Sequence, residues 1–393
     1  MTRELVERRV ADLLEEHPPG SVPDVDFWEA QFDAGLAFVH FPEGNGGLGL
    51  APAFQRVINT KIMAGGGSVS NIARNPIGYG MGAPTVATHG TEEQRLRWLK
   101  PLFTAEEIWC QLFSEPGAGS DVAGLATKAV RDGDEWVING QKVWTTLAHT
   151  ARWGMLLART DPDLPKHDGL TYFIADMRQL GVEVRPLRQI TGEAEFNEVY
   201  FTDARVSDGD RLGAVGDGWR VAITTLMHER VFIGSDVPPK GGGPIKQVVE
   251  TWRRIDERDP ARRDMLMRLW VEAEAARLTT IRAGQLREVG TPGPAGAAGK
   301  LHWAELHKRI TSFGLDLLGP EGMLYPSTYE MVRPASLQIS RRDPQKNFVR
   351  ARATSIEGGT SEIMRNIIGE RVLGLPGEPR GDKDIPWKEV PRS

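Results

Sequence analysis

Apolar residues recur at helical spacing from Glu4 to about Leu102, broken by Pro/Gly clusters at 17–23 and 42–49. That pattern predicts a helical N-terminal domain, with the glycine-dense stretch 43–49 as a loop, since so many glycines carry too much backbone freedom for a helix interior. After Ile108 the spacing changes to alternation. Runs 136–138 and 142–144 flank Asn139-Gly140, a pair that favours a tight hairpin, and 153–160, 170–176 and 195–202 read as further strands. From Gly218 helical spacing returns over 219–233, 261–289, 300–318 and 361–373, with joints at 241–243 and 291–299. The expected fold is mainly α with a central β domain: a helical domain over 1–107, a β domain over 108–217, a helix bundle over 218–375, and a charged tail over 376–393 expected to lack fixed structure.

Composition narrows the function. At 393 residues with 40% apolar and 26% charged positions, the chain is an ordinary globular protein large enough to form a deep site between domains. A net charge of -5 without any isolated Lys/Arg block argues against nucleic-acid or anionic-membrane partners. Cys110 is the sole cysteine, which excludes an internal disulfide and a thiolate metal site, so no metal is expected and a reducing cytoplasm fits best. The first twenty residues lack the apolar run of a secretory signal, and no stretch reaches the roughly 20 apolar residues of a membrane-spanning helix, so no membrane insertion is expected.

The richest chemistry lies in 111–121, where Gly117 and Gly119 let backbone approach a ligand and Ser114 and Ser120 offer hydroxyls to flavin or phosphate oxygens. A tight turn at a strand end reads the same way. Trp144-Thr145-Thr146 adds an indole able to stack on a flat heteroaromatic ring beside two hydroxyls that can bond its edge. Because no strand leads into a GxGxxG turn and helix, a dinucleotide would have to sit in a crevice between domains, held by β-domain loops and bundle helices.

Segments 115–125 and 136–146, Ile190-Thr191-Gly192 with 196–206, and Gly358-Gly359-Thr360-Ser361-Glu362-Ile363 resemble the acyl-CoA dehydrogenases in order and spacing, as do 43–49 and 89–94. The resemblance spans essentially residues 1–375. It implies an N-terminal helical domain, a β-barrel domain and a C-terminal four-helix bundle, with FAD between the last two and across a subunit interface. It further implies an acyl-CoA or acyl-carrier thioester substrate, an acceptor like electron-transfer flavoprotein, and a homodimer, homotetramer or heteromer. Gln111, Phe113, Ser114, Gly119, Ser120, Trp144, Thr145 and Thr146 would line the flavin. Ser120 would also reach the substrate, together with Arg230, Gly358 and Gly359. Thr360, Ser361 and Glu362 would close over the cofactor, and Asp316 and Gly319 lie where the family keeps its adenine-side loop.

The sequence departs from the family pattern twice. Where members often carry an Arg, Phe, Gly signature for the FAD pyrophosphate, this chain reads Trp252-Arg253-Arg254-Ile255-Asp256-Glu257-Arg258-Asp259-Pro260, and Asp316 replaces a later Gln. Many members place the catalytic Glu immediately before the Gly-Thr pair, where this chain has Gly358; Glu357 is one residue early and is expected to point elsewhere. Other members carry the base on the first bundle helix, and there Glu229 falls on that position. The resemblance thus implies α,β-dehydrogenation of an acyl thioester with Glu229 as α-proton base. It leaves open a structural subunit of a heteromeric dehydrogenase that lacks FAD, and an oxidase or flavin monooxygenase on the same scaffold. The missing Glu side chain leaves room beside the substrate α-carbon, so tolerance of branched or bulky acyl groups is expected.

Overall fold

The N-terminal helical spacing resolves into α1 (Thr2–Glu16), α2 (Asp24–Asp33), α3 (Phe54–Ala64), α4 (Ser70–Arg74), a π-helical turn at Gly78–Gly82, α5 (Ala83–His89) and α6 (Glu92–Phe103). The computed structural model describes residues 2–233, 237–255, 258–288, 295–325, 330–336, 343–379, 381–382 and 384–391. At the start of α6, Thr91 and Gln94 form a capping box that satisfies two otherwise unpaired N–H groups. The Gln94 amide also donates to Gly209 O at 2.8 Å and Arg211 O at 2.9 Å, so the same cap fastens this domain to the next.

The middle region is one eight-stranded sheet: β1 (Trp109–Leu112), β2 (Lys128–Asp132), β3 (Glu135–Thr146), β4 (Trp153–Arg159), β5 (Leu170–Asp176), β6 (Val182–Pro186), β7 (Phe196–Ser207) and β8 (Arg211–Leu212). Their order is β6-β7-β3-β2-β4-β5-β8, with β1 parallel to β4. Asn139-Gly140 is not the hairpin turn expected of it. β3 runs straight through that pair, and the turn lies at Gly133, whose φ of 64° suits glycine, between β2 and β3. Gly140 instead marks a register shift against β7, where a Cβ would lie 2.7 Å from Thr127 Cα. Close backbone approach, rather than reversal, explains that glycine.

Beyond the sheet come α7 (Gly218–Ile233), α8 (Pro244–Arg254), α9 (Pro260–Glu288), α10 (Ala295–Asp316), α11 (Pro344–Arg350) and α12 (Ser361–Arg371). The short helices α8 and α11 escaped the sequence reading, and α10 begins inside the stretch expected to be a joint. α10 is the hub, packed by α8, α9 and α12 around Val248, Leu266, Leu306, Ile310 and Phe313. α7 is different: its Val221 and Ala222 join one apolar core with the N-terminal helices and with Tyr172 and Ile174 of β5. It is therefore wedged between the N-terminal helices and the sheet.

The tail also departs from expectation. Rather than hanging free, it returns to the β domain. Trp387 N donates to Leu164 O at 2.9 Å, its indole N–H donates to Gly124 O at 3.1 Å, and its ring lies 4.6 Å from the Arg159 guanidinium. Asp382 pairs with the buried Lys166. The charged residues expected to keep this segment solvated find counter-charges on the β domain instead.

Candidate functional site

β1 feeds directly into the loop that carries the first set of expected ligands. Gln111 is half-buried on β1, and Phe113 is buried with its ring edge-on to Tyr172 at 5.8 Å. Glu115 and Ala118 exchange two backbone hydrogen bonds of 3.0 Å, which throws Pro116 and Gly117 outward, and Gly119 and Ser120 follow exposed. Ser114 O accepts from Val143 N at 2.9 Å, zipping the loop to β3. Beneath it lies a buried ion pair. Lys142, 0% exposed, donates to Glu115 Oε1 at 2.9 Å and Phe113 O at 3.0 Å, while Ala126 N and Thr127 N donate to the same carboxylate at 2.7 and 2.8 Å. Burial pushes the Glu115 carboxyl up, but Lys142 with the Thr127 and Ala126 donors outweighs it and holds the group below its ordinary value.

At the end of β3 the backbone is strained. Trp144 has φ of 59° and is 57% exposed, and it sits at a second register shift between β3 and β7. A left-handed conformation costs a bulky residue about 1–2 kcal/mol, and such strain gathers where a side chain must be presented. Its ring meets Phe196 edge-on at 5.8 Å. Next to it, Thr145 is buried and its Oγ1 has no hydrogen-bond partner among the described residues, while Thr146 is half-buried.

The opposite wall comes from the C-terminal helices. Thr360 caps α12 through Ile363 N at 3.2 Å, Ser361 is buried with its Oγ unpartnered among the described residues, and Glu362 is exposed and paired with Arg365. Gly358 and Gly359 both hold positive φ, 63° and 93°, a turn that other residues adopt only at a cost. Glu357 is taken up by Arg350, which donates to it at 3.0 and 2.8 Å. The same guanidinium lies 5.8 Å from the Phe196 ring and 3.8 Å from Glu195. Trp144, Phe196, Arg350 and Glu357 therefore form one continuous chain of contacts between the two walls.

Glu229 is half-buried on α7, one turn beyond Thr225. The Thr225 hydroxyl lies 3.0 Å from both Tyr172 Oη and Thr85 Oγ1, which pins this helix to β5 and to the N-terminal domain. Lys300 of α10 stands close enough to Glu229, Glu357 and Glu362 for all three carboxylates to favour its charge, although burial pulls its pKa down. Glu229 is thus linked to the Gly358–Gly359 turn through Lys300, and that turn to the Trp144 end of β3 through Glu357, Arg350 and Phe196. The side chain of Arg230 lies outside the described residues.

Asp316 and Gly319 are elsewhere. Both are exposed at the far end of α10 from Lys300, roughly 24 Å along the axis. Next to them a cavity of about 210 Å³ is lined by Leu315, Gly322, Tyr325 and Phe348. Among the described residues no cluster suited to a metal ion occurs, and no helix is long and apolar enough to cross a membrane.

An exposed, strained indole beside an orphaned buried hydroxyl, together with a second orphaned hydroxyl at Ser361 on α12, is a donor set that fits a flat ring with polar edges, as FAD has. Lys142, Phe196, Arg350 and Lys300 were given no role in the site from the sequence. Lys142 had a signal: it shares the inward-facing parity of β3 with Trp136 and Ile138, and a lysine on that face needs a buried counter-charge. Contacts such as Phe196 with Arg350 join distant segments and have no local signature.

The family model for the acyl-CoA dehydrogenase N-terminal domain matches residues 1–106, that for the middle domain 110–204 and that for the C-terminal domain 216–373. The chain is 40% identical to "Acyl-CoA dehydrogenase IpdE1" of Mycobacterium tuberculosis, over 88% of this chain and 87% of that one. It is 38% identical to "Acyl-CoA dehydrogenase FadE34" of the same organism over 91% of this chain, and spans 47% of that longer relative. Among solved structures, the "Tcur3481-Tcur3483 steroid ACAD" superposes with a TM-score of 0.71 at 26% identity, covering 95% of this chain and 97% of that one. The ChsE4-ChsE5 complex from Mycobacterium tuberculosis superposes with a TM-score of 0.69 at 26% identity, covering 95% and 97%.

Proposed function

This chain belongs to the acyl-CoA dehydrogenase family of oxidoreductases acting on CH–CH donors, and from that premise we propose that it binds FAD and converts an acyl-CoA thioester to the trans-2-enoyl-CoA, with Glu229 as base. What supports the reading is the half-buried Glu229 on α7, within electrostatic range of Lys300, whose ammonium in turn holds Gly359 O. A carboxylate removed from bulk water is a stronger base toward a weakly acidic α C–H than a solvated one. Gly358 lacks a side chain but keeps its backbone N–H, which serves as a donor to the thioester carbonyl as negative charge develops there. FAD would supply the acceptor for the β-hydride, and Glu229 would take the α-proton as the C=C bond forms. Trp144, Thr145, Thr146, Thr360 and Ser361 are the residues that would hold the ring.

The decisive experiment is anaerobic mixing of the purified protein with acyl-CoA. Wild type is expected to be yellow and to bleach. Glu229→Gln is expected to keep its flavin and lose bleaching by about 10²–10⁴-fold. A variant that bleaches at the wild-type rate rules out Glu229.

For the substrate, we propose a bulky, ring-bearing acyl group. The absent side chain at Gly358 leaves room beside the α-carbon, and one structural neighbour is titled a steroid ACAD. A panel running from short straight-chain to steroid side-chain CoA thioesters tests this, and turnover confined to the short members refutes it. A second reading, a subunit that needs a different partner chain for FAD, draws support from the altered 252–260 segment and from two neighbours whose titles name paired chains. Asp316 and Gly319, at the end of α10 away from Lys300, suit a cofactor shared between subunits. A protein that is colourless alone and turns yellow only with a second polypeptide selects this reading.

A further inference from the structure

Lys300 emerges near the start of α10 and donates to Thr354 O at 2.8 Å and Gly359 O at 2.6 Å. One ammonium thereby ties both ends of the 354–359 segment to a bundle helix. The tie matters because of what lies between. Gly358 and Gly359 are consecutive glycines at φ of 63° and 93°, and a glycine pair does not hold one conformation by itself. Hydrogen bonds from an ionised donor are shorter and stronger than neutral ones and gain further where water is scarce. The other charged neighbours have arginines of their own: Glu357 has Arg350 and Glu362 has Arg365.

We propose that Lys300 is a positioning residue for the dehydrogenation: its two hydrogen bonds fix the Gly358–Gly359 turn so that the Gly358 N–H meets the thioester carbonyl while the α-carbon faces Glu229. The proposal rests on the roles given above to Glu229 and Gly358. Lys300 touches neither substrate nor cofactor in this scheme. Its contribution is to keep a flexible donor aimed at the one place where charge develops, so its loss shows in the chemical step and leaves ground-state binding nearly unchanged.

The test uses the FAD-loaded enzyme, mixed anaerobically with whichever panel acyl-CoA bleaches wild type fastest. Lys300→Met is expected to retain FAD and to bind the enoyl-CoA product within about threefold of wild type, while flavin reduction at saturating substrate falls about 10²-fold. Lys300→Arg keeps the reach and several N–H donors and is expected to recover most of the rate. If the apolar variant does not fold, Lys300→Gln, too short to reach both carbonyls, takes its place with the same expected loss. Reduction within about threefold of wild type in the short variant, or a folded arginine variant as slow as the methionine one, overturns the proposal. Glu229→Gln run alongside separates the causes. If it is inactive while the Lys300 variants react normally, only the positioning role fails; if it reacts normally, the assignment of the base fails.

Discussion

The two walls of the site each rest on a lysine, and the contrast between them shows how the molecule divides its labour. On the β side, Lys142 is sealed from solvent, paired with a buried carboxylate and set in a continuous sheet over an apolar core. On the bundle side, Lys300 is only half-buried and holds backbone carbonyls of an irregular segment. The bundle also leaves apolar side chains outside: Met267, Val271 and Leu278 make a stripe along α9, and Ile356 beside the glycine turn is 68% exposed. An exposed apolar stripe of this kind on a folded helix is the kind of surface that another protein can cover.

The largest effect that tests this contrast is expected at the β-side pair. Glu115→Ala leaves the Lys142 charge buried without its carboxylate, and about 3–5 kcal/mol of stability should disappear in urea unfolding. A loss near that of an exposed ion pair, about 0–1 kcal/mol, would show that the β wall is not the rigid partner. The pH dependence has a definite sign. Because the folded Glu115 carboxyl lies below its ordinary value, its contribution is present above the usual carboxylate range and disappears as pH falls through the folded value. Glu115→Gln should therefore flatten the acid side of the stability profile.

A smaller effect is expected on the bundle side. Val271→Lys on α9 places a charge in the exposed stripe and should leave the monomer fold intact while lowering the mass measured by light scattering. An unchanged mass would mean that this face stays uncovered in the assembly.

Sequence legibility followed the same division. The three-part architecture could be read, because helical spacing and alternation are local signals, while the assignment of 111–120, 144–146 and 358–362 to a site came from the family resemblance. Asn139-Gly140 misled because the dipeptide reports only a tolerance for unusual backbone. Whether that tolerance serves a turn or a close approach was decided by Thr127, a dozen residues away. The Arg350 bridge between Phe196 and Glu357 was invisible, since Phe196 meets Arg350 and Glu357 only in the folded chain. α8 and α11 were missed as short helices that begin at prolines next to glycine-rich or charged stretches.

Trp144 offers a subtler test, because its strain should serve binding at the expense of folding. Trp144→Gly removes the left-handed penalty and is expected to stabilise the flavin-free protein by up to about 1 kcal/mol, the relief offset in part by glycine's own entropy. The same variant should bind FAD less tightly, as read by flavin fluorescence on dilution. Equal affinity would show that the exposed indole has no part in holding the ring.

The most local expected effect concerns the tail, which belongs to the bundle in sequence and to the β wall in space. Arg159 donates to Ala123 O and Lys166 O, and the Trp387 ring covers the same guanidinium while its N–H reaches Gly124 O. The turn at 121–125 follows directly on Ser120, so the tail steadies the exit of the loop that Glu115 and Lys142 anchor at its entrance. Trp387→Ala deletes one hydrogen bond and one cation–π contact but leaves the arginine's own bonds in place, and should cost about 1–2 kcal/mol. Its signature is local: amide exchange should quicken at 122–125 and stay unchanged in β1, where no tail residue reaches. Equal acceleration in both would mean that the tail supports the whole sheet rather than this turn, and no acceleration in either would make the loop independent of it.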